Sequence, residues 1–377
     1  MRIQSDLLPK FRNNESKLLF ELYVAYLEAR RGGKRDTLDE HKFEVNEFEN
    51  LVSLRDTLVD RTYRPSRGTA HVVFNPVVRE IFAASFRDRV VHHLMYDTVY
   101  DWWDRHFIYD SYSCREGKGT GLGIARMRHH IQAVSENYVK SAWVIKLDVQ
   151  GYFMSLPREQ LYRRAMWGLE KQFAGCKGWK YELMRFLWGE IIFDDPCVGV
   201  RKIGWPRDWK YVPDSKSLFR QPPGVGIVIG NLTSQLLSNI YLDQLDRYIV
   251  YELGWKHYGR YVDDFYIVVS ENDLERALDD VEMIRRFLLR LGLTLHPRKT
   301  SVQPASRGVG FLGAVVYPGR VYPGARLKRN AHRAFSEVVS GVRDVESVVS
   351  YLGHMKYMRS DKIVSEIFEK VGWEYNW

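Results

Sequence analysis

Apolar residues in this chain recur with two different periods, and the changes of period mark out the elements. Leu18, Leu19, Leu22, Tyr23, Tyr26 and Leu27 share one helical face, predicting a helix over 18–31. A basic turn with two glycines follows at 31–35, and a second helix is predicted over 45–58. The pattern then becomes strand-like: His71-Val72-Val73-Phe74, an Asn75-Pro76 turn and Val77–Ile81 predict a hairpin with Arg79 on its second arm. Phe86, Val90, Leu94 and Tyr100 return to helical spacing over 85–103, with Ser85 as the N-cap. A basic helix ends near Val134, and Ala142–Leu147 is an apolar strand with Asp148 at its end. Residues 158–187 read as helix. The stretch 193–223, with five prolines, is a long insert, functional or mobile. A turn and short strand over 224–229 lead to Asn231, which caps a helix bearing Leu232, Leu236, Ile240 and Tyr248.

Residues 257–262 and 265–269 are rich in aromatic and β-branched side chains and flank a tight Asp263-Asp264 turn. An amphipathic helix (273–291, with Leu274, Leu278, Val281, Ile284 and Leu288 inward), a strand beyond 293–299, a hairpin over 310–322 and helix from Leu327 complete the chain. Strand, helix, then hairpin is the order of a split β-α-β-β unit, so the fold class is α/β (α+β). Domain joins are expected near 135–140 and 323–327.

Adjacent carboxylates in an apolar setting repel, so one pKa rises unless a cation neutralises them. Mg²⁺ suits hard carboxylate oxygens and usually keeps substrate phosphates as further ligands. On the hairpin alone, a solvated Asp-Asp turn is an equal reading. Asp148 shifts the balance, because the β-α-β-β order sets it beside Asp263 and Asp264 over one sheet. Three such acids can hold two Mg²⁺ ions about 3.5–4 Å apart for in-line phosphoryl displacement. No Ser-His-Asp or Cys-His arrangement competes. His92 and His93 are adjacent, so they face different sides of their helix and read as packing or surface residues.

Charge fits this chemistry without proving it. Lys plus Arg is 56 against 47 for Asp plus Glu, a formal net charge of +9, which is compatible with nucleic acid. The 14% aromatic content suits base stacking or a ring-rich core equally. Cys114, Cys176 and Cys197 are an odd, widely spaced set with no C-x-x-C, which argues against a disulfide framework or zinc site and for a reducing compartment. Met1–Phe20 lacks a signal-peptide apolar region, and no stretch reaches the roughly 18 uncharged apolar residues of a membrane helix. A soluble, cytoplasmic protein with no membrane partner is expected. The glycines of Ser111–Thr120 permit close phosphate approach, but the Walker spacing is absent.

Asp148-x4-Phe153, Tyr261-Val262-Asp263-Asp264 and Phe311-Leu312-Gly313, in this order, resemble a reverse transcriptase from about Val72 onward. The resemblance implies a right-hand polymerase: a helical N-terminal extension (1–65), fingers (66–138), a palm (139–323, with a fingers-like insert at 193–223) and a helical thumb (324–377). It implies that Asp148, Asp263 and Asp264, with the Val149 carbonyl, bind two Mg²⁺ ions, Mn²⁺ being a substitute. Arg79 would grip the dNTP triphosphate, although Val77-Val78 precede it where the family pattern has a basic residue or proline. Phe153 would be the steric gate against a ribose 2′-OH, Lys299 the proton donor to pyrophosphate, and Phe311, Leu312 and Gly313 the primer grip. Arg115, Lys118, Arg126 and Arg128, with His129 and His130, would line the template side. Arg326, Lys328 and Arg329, with Arg333, would hold the primer–template duplex.

Ile229-Gly230-Asn231-Leu232-Thr233-Ser234-Gln235 sharpens the likeness. Most reverse transcriptases carry Gln-Gly-x-x-x-Ser-Pro here, whereas the Ile-Gly-x-x-x-Ser-Gln form is similar to those of diversity-generating retroelements. Ser215–Phe219 and Ser306–Gly310 also look like that group. The resemblance implies error-prone copying of a template RNA, with errors at adenines, and Ile229, Gly230 and Gln235 beside the incoming dNTP. It also implies an RNA/cDNA duplex and a small basic accessory protein oligomer as partners. A phage-defence or retron-type reverse transcriptase is the alternative within the class. A non-catalytic RNA-binding scaffold is the alternative outside it.

Overall fold

Asn13 opens helix α1 (Asn14–Ala29): its side chain accepts the Ser16 N–H at 2.9 Å. The computed structural model describes residues 13–31, 37–74 and 77–370, so the 1–12 stretch, most of the 31–35 basic turn and the Asn75-Pro76 turn lie outside the described residues. The buried stripe of α1 is Leu18, Leu22, Ala25, Tyr26 and Ala29. Tyr23 and Leu27, expected on it, are 42% and 41% exposed, because the small Ala25 and Ala29 take the inward positions. α3 (Glu47–Val59) is the helix expected over 45–58, and a further helix, α2 (Leu38–Glu44), precedes it. α2 carries no apolar stripe to announce it; its buried residues are Glu40 and Phe43.

Strands β1 (Thr69–Val73) and β2 (Arg79–Ala83) pair antiparallel, with Val73 opposite Arg79. Helix α4 (Phe86–His106) is capped by Ser85 as expected. Next come α5 (Thr120–Val134), β3 (Ala142–Asp148) and the short α6 (Tyr152–Ser155). The helix expected over 158–187 is two, α7 (Arg158–Gln172) and α8 (Trp179–Phe193), interrupted at Gly175-Cys176-Lys177-Gly178. The insert is partly ordered as β4 (Arg201–Lys202) and three 3₁₀ turns between Asp208 and Arg220. The strand expected over 224–229 is irregular, because Gly224 (φ 78°) and Gly226 (φ 86°) leave the extended region. Its N–H groups still find partners: Gly226 donates to Leu156 O and Ile227 to Phe153 O.

Helix α9 (Leu232–Arg247) runs on through a π-helical turn, Tyr248–Glu252. The acid hairpin is β5 (Tyr258–Tyr261) and β6 (Asp264–Ser270), followed by α10 (Leu274–Arg290). α10 buries Ala277, Ile284 and Leu288, while Leu278, expected inward, is 44% exposed. β7 (Ser301–Pro304), β8 (Val309–Phe311), β9 (Ala314–Tyr317) and β10 (Arg320–Pro323) precede α11 (Ala325–Val339), α12 (Glu346–Met355) and α13 (Asp361–Lys370).

The chain forms two compact units. The first takes the chain up to Phe107, Gly151–Gln244 and Leu291–Leu293; the second takes Ile108–Gln150, Leu245–Arg290 and the chain from Thr294. The first holds the sheet β2-β1-β4, on which Ala70, Phe82, Met154, Leu218 and Val228 form a core against Phe153 and Ile229. The second holds the antiparallel sheet β5-β6-β3-β7 and the smaller sheet β10-β9-β8. Its core joins α5 to both sheets through Ile124, Met127, Val144, Tyr266, Phe311 and Val316.

Candidate active site

The acid turn is a two-residue hairpin loop. Tyr261 pairs with Asp264, so the tip is Val262 and Asp263, one position before the Asp263-Asp264 turn expected, and Asp264 begins the strand. Val262 sits at φ 56°, in the left-handed region that a β-branched residue enters only at a cost. The fully buried Arg260 braces it. Its Nη1 donates to Val262 O at 2.9 Å, and Nε and Nη2 donate to the two Asp246 oxygens at 2.7 Å each. Tyr258 Oη also donates to Asp246, at 2.6 Å, and Arg260 Nη2 reaches Ser111 Oγ at 3.2 Å.

Register brings the third acid alongside. Asp148 is paired with Asp264 across β3–β6, and the Val149 N–H donates to Asp263 O at 3.0 Å. The His296 N–H fixes Asp148 O at 2.7 Å. Two lysines face the acids: Lys299 Nζ donates to both Asp148 oxygens at 2.9 and 2.8 Å, and Lys146 Nζ lies 3.0 Å from Asp264 Oδ2. Burial, reinforced by the Asp148 charge, pushes the Asp263 carboxyl up to about 6. Burial also raises Asp264, against the pull of Lys146.

These residues fit a divalent cation. The donors are hard carboxylate oxygens, and Asp264 Oδ1 is buried without a hydrogen-bond partner. Among the described residues, the trio whose ligand atoms all lie within 4.8 Å of one another is instead Glu40, His41 and Glu44. Arg30 already neutralises that cluster, with Nε 2.8 Å from Glu40 and a further pair to Glu44.

The other expected nucleotide contacts, Lys299 apart, belong to the first unit. Arg79 opens β2, half-buried. Phe153 lies on α6, its ring 5.5 Å from that of Tyr152, and its carbonyl accepts the Ile227 N–H at 2.9 Å. Ile229 packs on the Phe82 core and accepts the Phe82 N–H at 2.9 Å. Gly230 has φ 131°, and a Cβ there would stand 2.2 Å from Phe82 O, so the position admits only glycine. Gln235 is exposed on the first turns of α9, beside the buried Thr233, whose hydroxyl meets His92 Nδ1 at 2.9 Å.

In the second unit Phe311 is buried, edge-on to Tyr266 at 5.1 Å. Leu312 and Gly313 form the turn into β9, and Leu312 O accepts from His354 Nε2 at 3.1 Å. Arg115 donates to Ile108 O and Ser111 O, and Lys118 bonds Tyr109 O. Arg126 is doubly bonded to Asp110 at 2.7 and 2.9 Å, so much of its charge is already met. Arg128, Arg326 and Arg329 are exposed, and Lys328 is half-buried. His130, expected on the basic template face, is instead 1% exposed and lies 3.2 Å from Tyr266 Oη. The α5 residues inward of it are Ile124, Met127 and Ile131, and His130 falls on their side of the helix. Sequence reading missed Lys146, Arg260 and Asp246. Lys146 had a signal, since it alternates with Asp148 on one strand and so shares its face.

A family model described as "Reverse transcriptase (RNA-dependent DNA polymerase)" matches residues 77–316. Protein YkfC of Escherichia coli (strain K12) is 24% identical over 298 residues, 70% of each chain. Similar solved structures include telomerase from Candida tropicalis in complex with a TWJ fragment of telomeric RNA (11% identity, TM-score 0.48, 85% of this chain and 59% of that one). The corresponding Candida albicans telomerase complex gives 11% identity and a TM-score of 0.49, covering 83% of this chain and 57% of that one. The chain thus spans less than two thirds of those telomerase chains. No helix among the described residues is long and apolar enough to cross a membrane.

Proposed function

This chain belongs to the reverse transcriptase family, the RNA-directed DNA polymerases of right-hand, mixed α/β fold, and from that premise we propose that it copies a template RNA into adenine-mutagenised cDNA for a diversity-generating retroelement. In this reading Asp148, Asp263 and Asp264, with the Val149 carbonyl, hold two Mg²⁺ ions. Bound there, such ions supply charge neutralisation at the phosphates and a lower pKa for the attacking 3′-hydroxyl. The three acids concentrate negative charge at one end of the β3–β6 ladder, and Arg260 fixes the turn that presents two of them. Lys299, an ammonium 2.8 Å from Asp148, holds the proton for the leaving pyrophosphate. Arg79 grips the triphosphate, the Phe153 ring excludes a 2′-OH, and Phe311–Gly313 position the primer. Residues 66–138 are then fingers, 139–323 palm and 324–377 thumb, with RNA, RNA/cDNA duplex and a small basic accessory protein as partners.

The observation that supports the polymerase chemistry is the register of Asp148 against Asp264, with the Val149–Asp263 bond beside it. The mutagenic reading rests on Ile229. An isoleucine gives the incoming nucleotide only apolar contact, where a glutamine would add a directional hydrogen bond worth about 1 kcal/mol. Primer extension with the parent, Asp263→Ala and Asp264→Ala tests the first: only the parent extends. Sequenced cDNA from the parent and Ile229→Gln tests the second: parent errors cluster opposite template adenines, and the variant loses that bias. An even error spectrum in the parent rejects the mutagenic role and leaves a retron-type or defence enzyme. No extension by any of them, across several metals and primers, leaves a scaffold.

A further inference from the structure

We propose that the 201–211 segment, together with Phe74, is a landing surface for a single strand of nucleic acid. The segment lies wholly in the first unit and contains none of the residues assigned above to nucleotide or metal. β4 is the edge strand of the β2-β1-β4 sheet, with Arg201 opposite Thr69 and Lys202 opposite Ala70. The chain then continues beside β1, the Ile203 N–H donating to Ala70 O at 2.8 Å. Further on, the Tyr211 ring meets Phe74 edge-on at 6.1 Å, at the far end of β1. The segment therefore sets two cations beside Thr69 and Ala70 and a ring pair at Phe74, ends of a run of about 17 Å at about 3.3 Å per residue.

The rings of the insert divide into two sets. Trp209 and Phe219 pack inward, with the Lys202 ammonium 3.8 Å from the Phe219 centroid. Trp205, Tyr211 and Phe74 face solvent, at 68%, 64% and 44% exposure. Their backbone is held in place: Trp205 N–H donates to Asp208 Oδ2 at 3.3 Å, Asp208 N–H to Trp205 O at 2.9 Å, and Lys210 N–H to Arg207 O at 3.2 Å. Large rings kept outward on an ordered backbone mark an interaction surface. Arg201, Lys202, Arg207 and Lys210 against the single Asp208 give the same stretch a positive excess. A ligand that offers flat aromatic faces and negative charge together is an unpaired nucleic-acid strand. A duplex keeps its bases stacked and offers only phosphates, and an apolar protein surface gains nothing from the cations. The proposal rests on the polymerase reading only for the identity of the strand as template.

The test measures anisotropy of a labelled 12-nucleotide poly(U) RNA and a 12-base-pair RNA duplex with the full chain, without dNTPs. Trp205→Ala combined with Tyr211→Ala weakens single-strand binding about 10- to 100-fold, with an unchanged salt slope and duplex affinity within about twofold. Arg207→Ala combined with Lys210→Ala flattens the single-strand salt slope by about 1.4, at about 0.7 for each phosphate contact. All these residues are on the surface, so folding is retained. No single-strand binding by the parent overturns the proposal. So does unchanged affinity in both double variants, which leaves the rings to a protein partner. An equal loss on single strand and duplex also overturns it. Because no chemistry is needed, a parent that binds in this way but never extends a primer keeps the surface and rejects the polymerase reading. A parent that extends, with binding unaffected by the variants, does the reverse.

Discussion

Arg260→Met tests how the acid turn is held. The guanidinium is fully buried, and its hydrogen bonds of 2.7 to 3.2 Å include two to Asp246, one to Val262 O and one to Ser111 Oγ. Methionine fills much of the space but removes the cation, leaving Asp246 fully buried with its hydrogen bond from the Tyr258 hydroxyl. Breaking one side of a buried ion pair costs about 3–5 kcal/mol, because the survivor stays desolvated and uncompensated. Total stability of a domain is about 5–15 kcal/mol, so the loss is a large share. With a urea slope of about 2 kcal/mol per molar, the midpoint falls by about 2 M. Asp246→Leu added to Arg260→Met removes the stranded charge and recovers part of the loss. The double variant still lacks the brace on Val262, whose φ of 56° costs about 1–3 kcal/mol to maintain. Primer extension therefore stays impaired in the double variant although stability partly returns, and Val262→Gly added to it restores some extension by relaxing that backbone. A midpoint shift below about 0.5 M for Arg260→Met refutes the ion pair as the brace. Full extension by the double variant refutes its role in presenting the acids.

Three other outcomes follow from the same geometry. Gly230→Ala drives a Cβ to 2.2 Å from Phe82 O at a φ of 131°, so stability drops by at least about 2 kcal/mol in urea melts; an unchanged melt means the loop shifts freely. Asp263 titrates near 6 when folded against an ordinary 3.8, so in EDTA its contribution to stability is full below pH 3.8 and is lost as pH rises through about 6. Added Mg²⁺ accordingly raises the melting temperature more at pH 7.5 than at pH 5, and equal gains at both contradict the assignment. His92 is buried against Thr233, and burial pulls it down to about 4 from 6.5, so it contributes stability above pH 6.5 that is lost as pH falls toward 4, up to about 3 kcal/mol. Comparing urea midpoints of the parent and His92→Phe at pH 7 and 4.5 measures it, the parent losing more on acidification.

The acids were legible because their signal is local and repeated. An apolar strand ends at Asp148, another begins at Asp264, and strand period then dictates that the two meet when the strands pair antiparallel. Ser85, Asp148 and the 258–270 hairpin were likewise readable from side chains within a few positions of each other. What escaped depended on distant packing. The α7–α8 break and the irregular 224–229 path arise where glycines sit within apolar stretches whose period still looks continuous. α2 escaped because a polar helix with Glu40 buried has no amphipathic stripe.

Arg260 shows the limit most clearly. Beside two tyrosines on a four-residue strand, it reads as a solvent-facing charge, the usual fate of arginine. It is buried only because Asp246, near the end of α9, and Ser111, in a loop far from both, converge on the same point. Neither partner is within ten positions of it, so no period or local motif could pair them. The same holds for strain: nothing in Tyr-Val-Asp-Asp announces that the valine is left-handed. The chemistry proposed for the site was thus written in the acids themselves, and the rigidity of their turn in residues whose roles exist only after folding. Substitutions at Asp263 and Asp264 should therefore remove activity without lowering stability at neutral pH, where their burial as charged groups is unfavourable, whereas those at Arg260 and Asp246 should lower both, and a variant set that did not separate in this way would contradict the division.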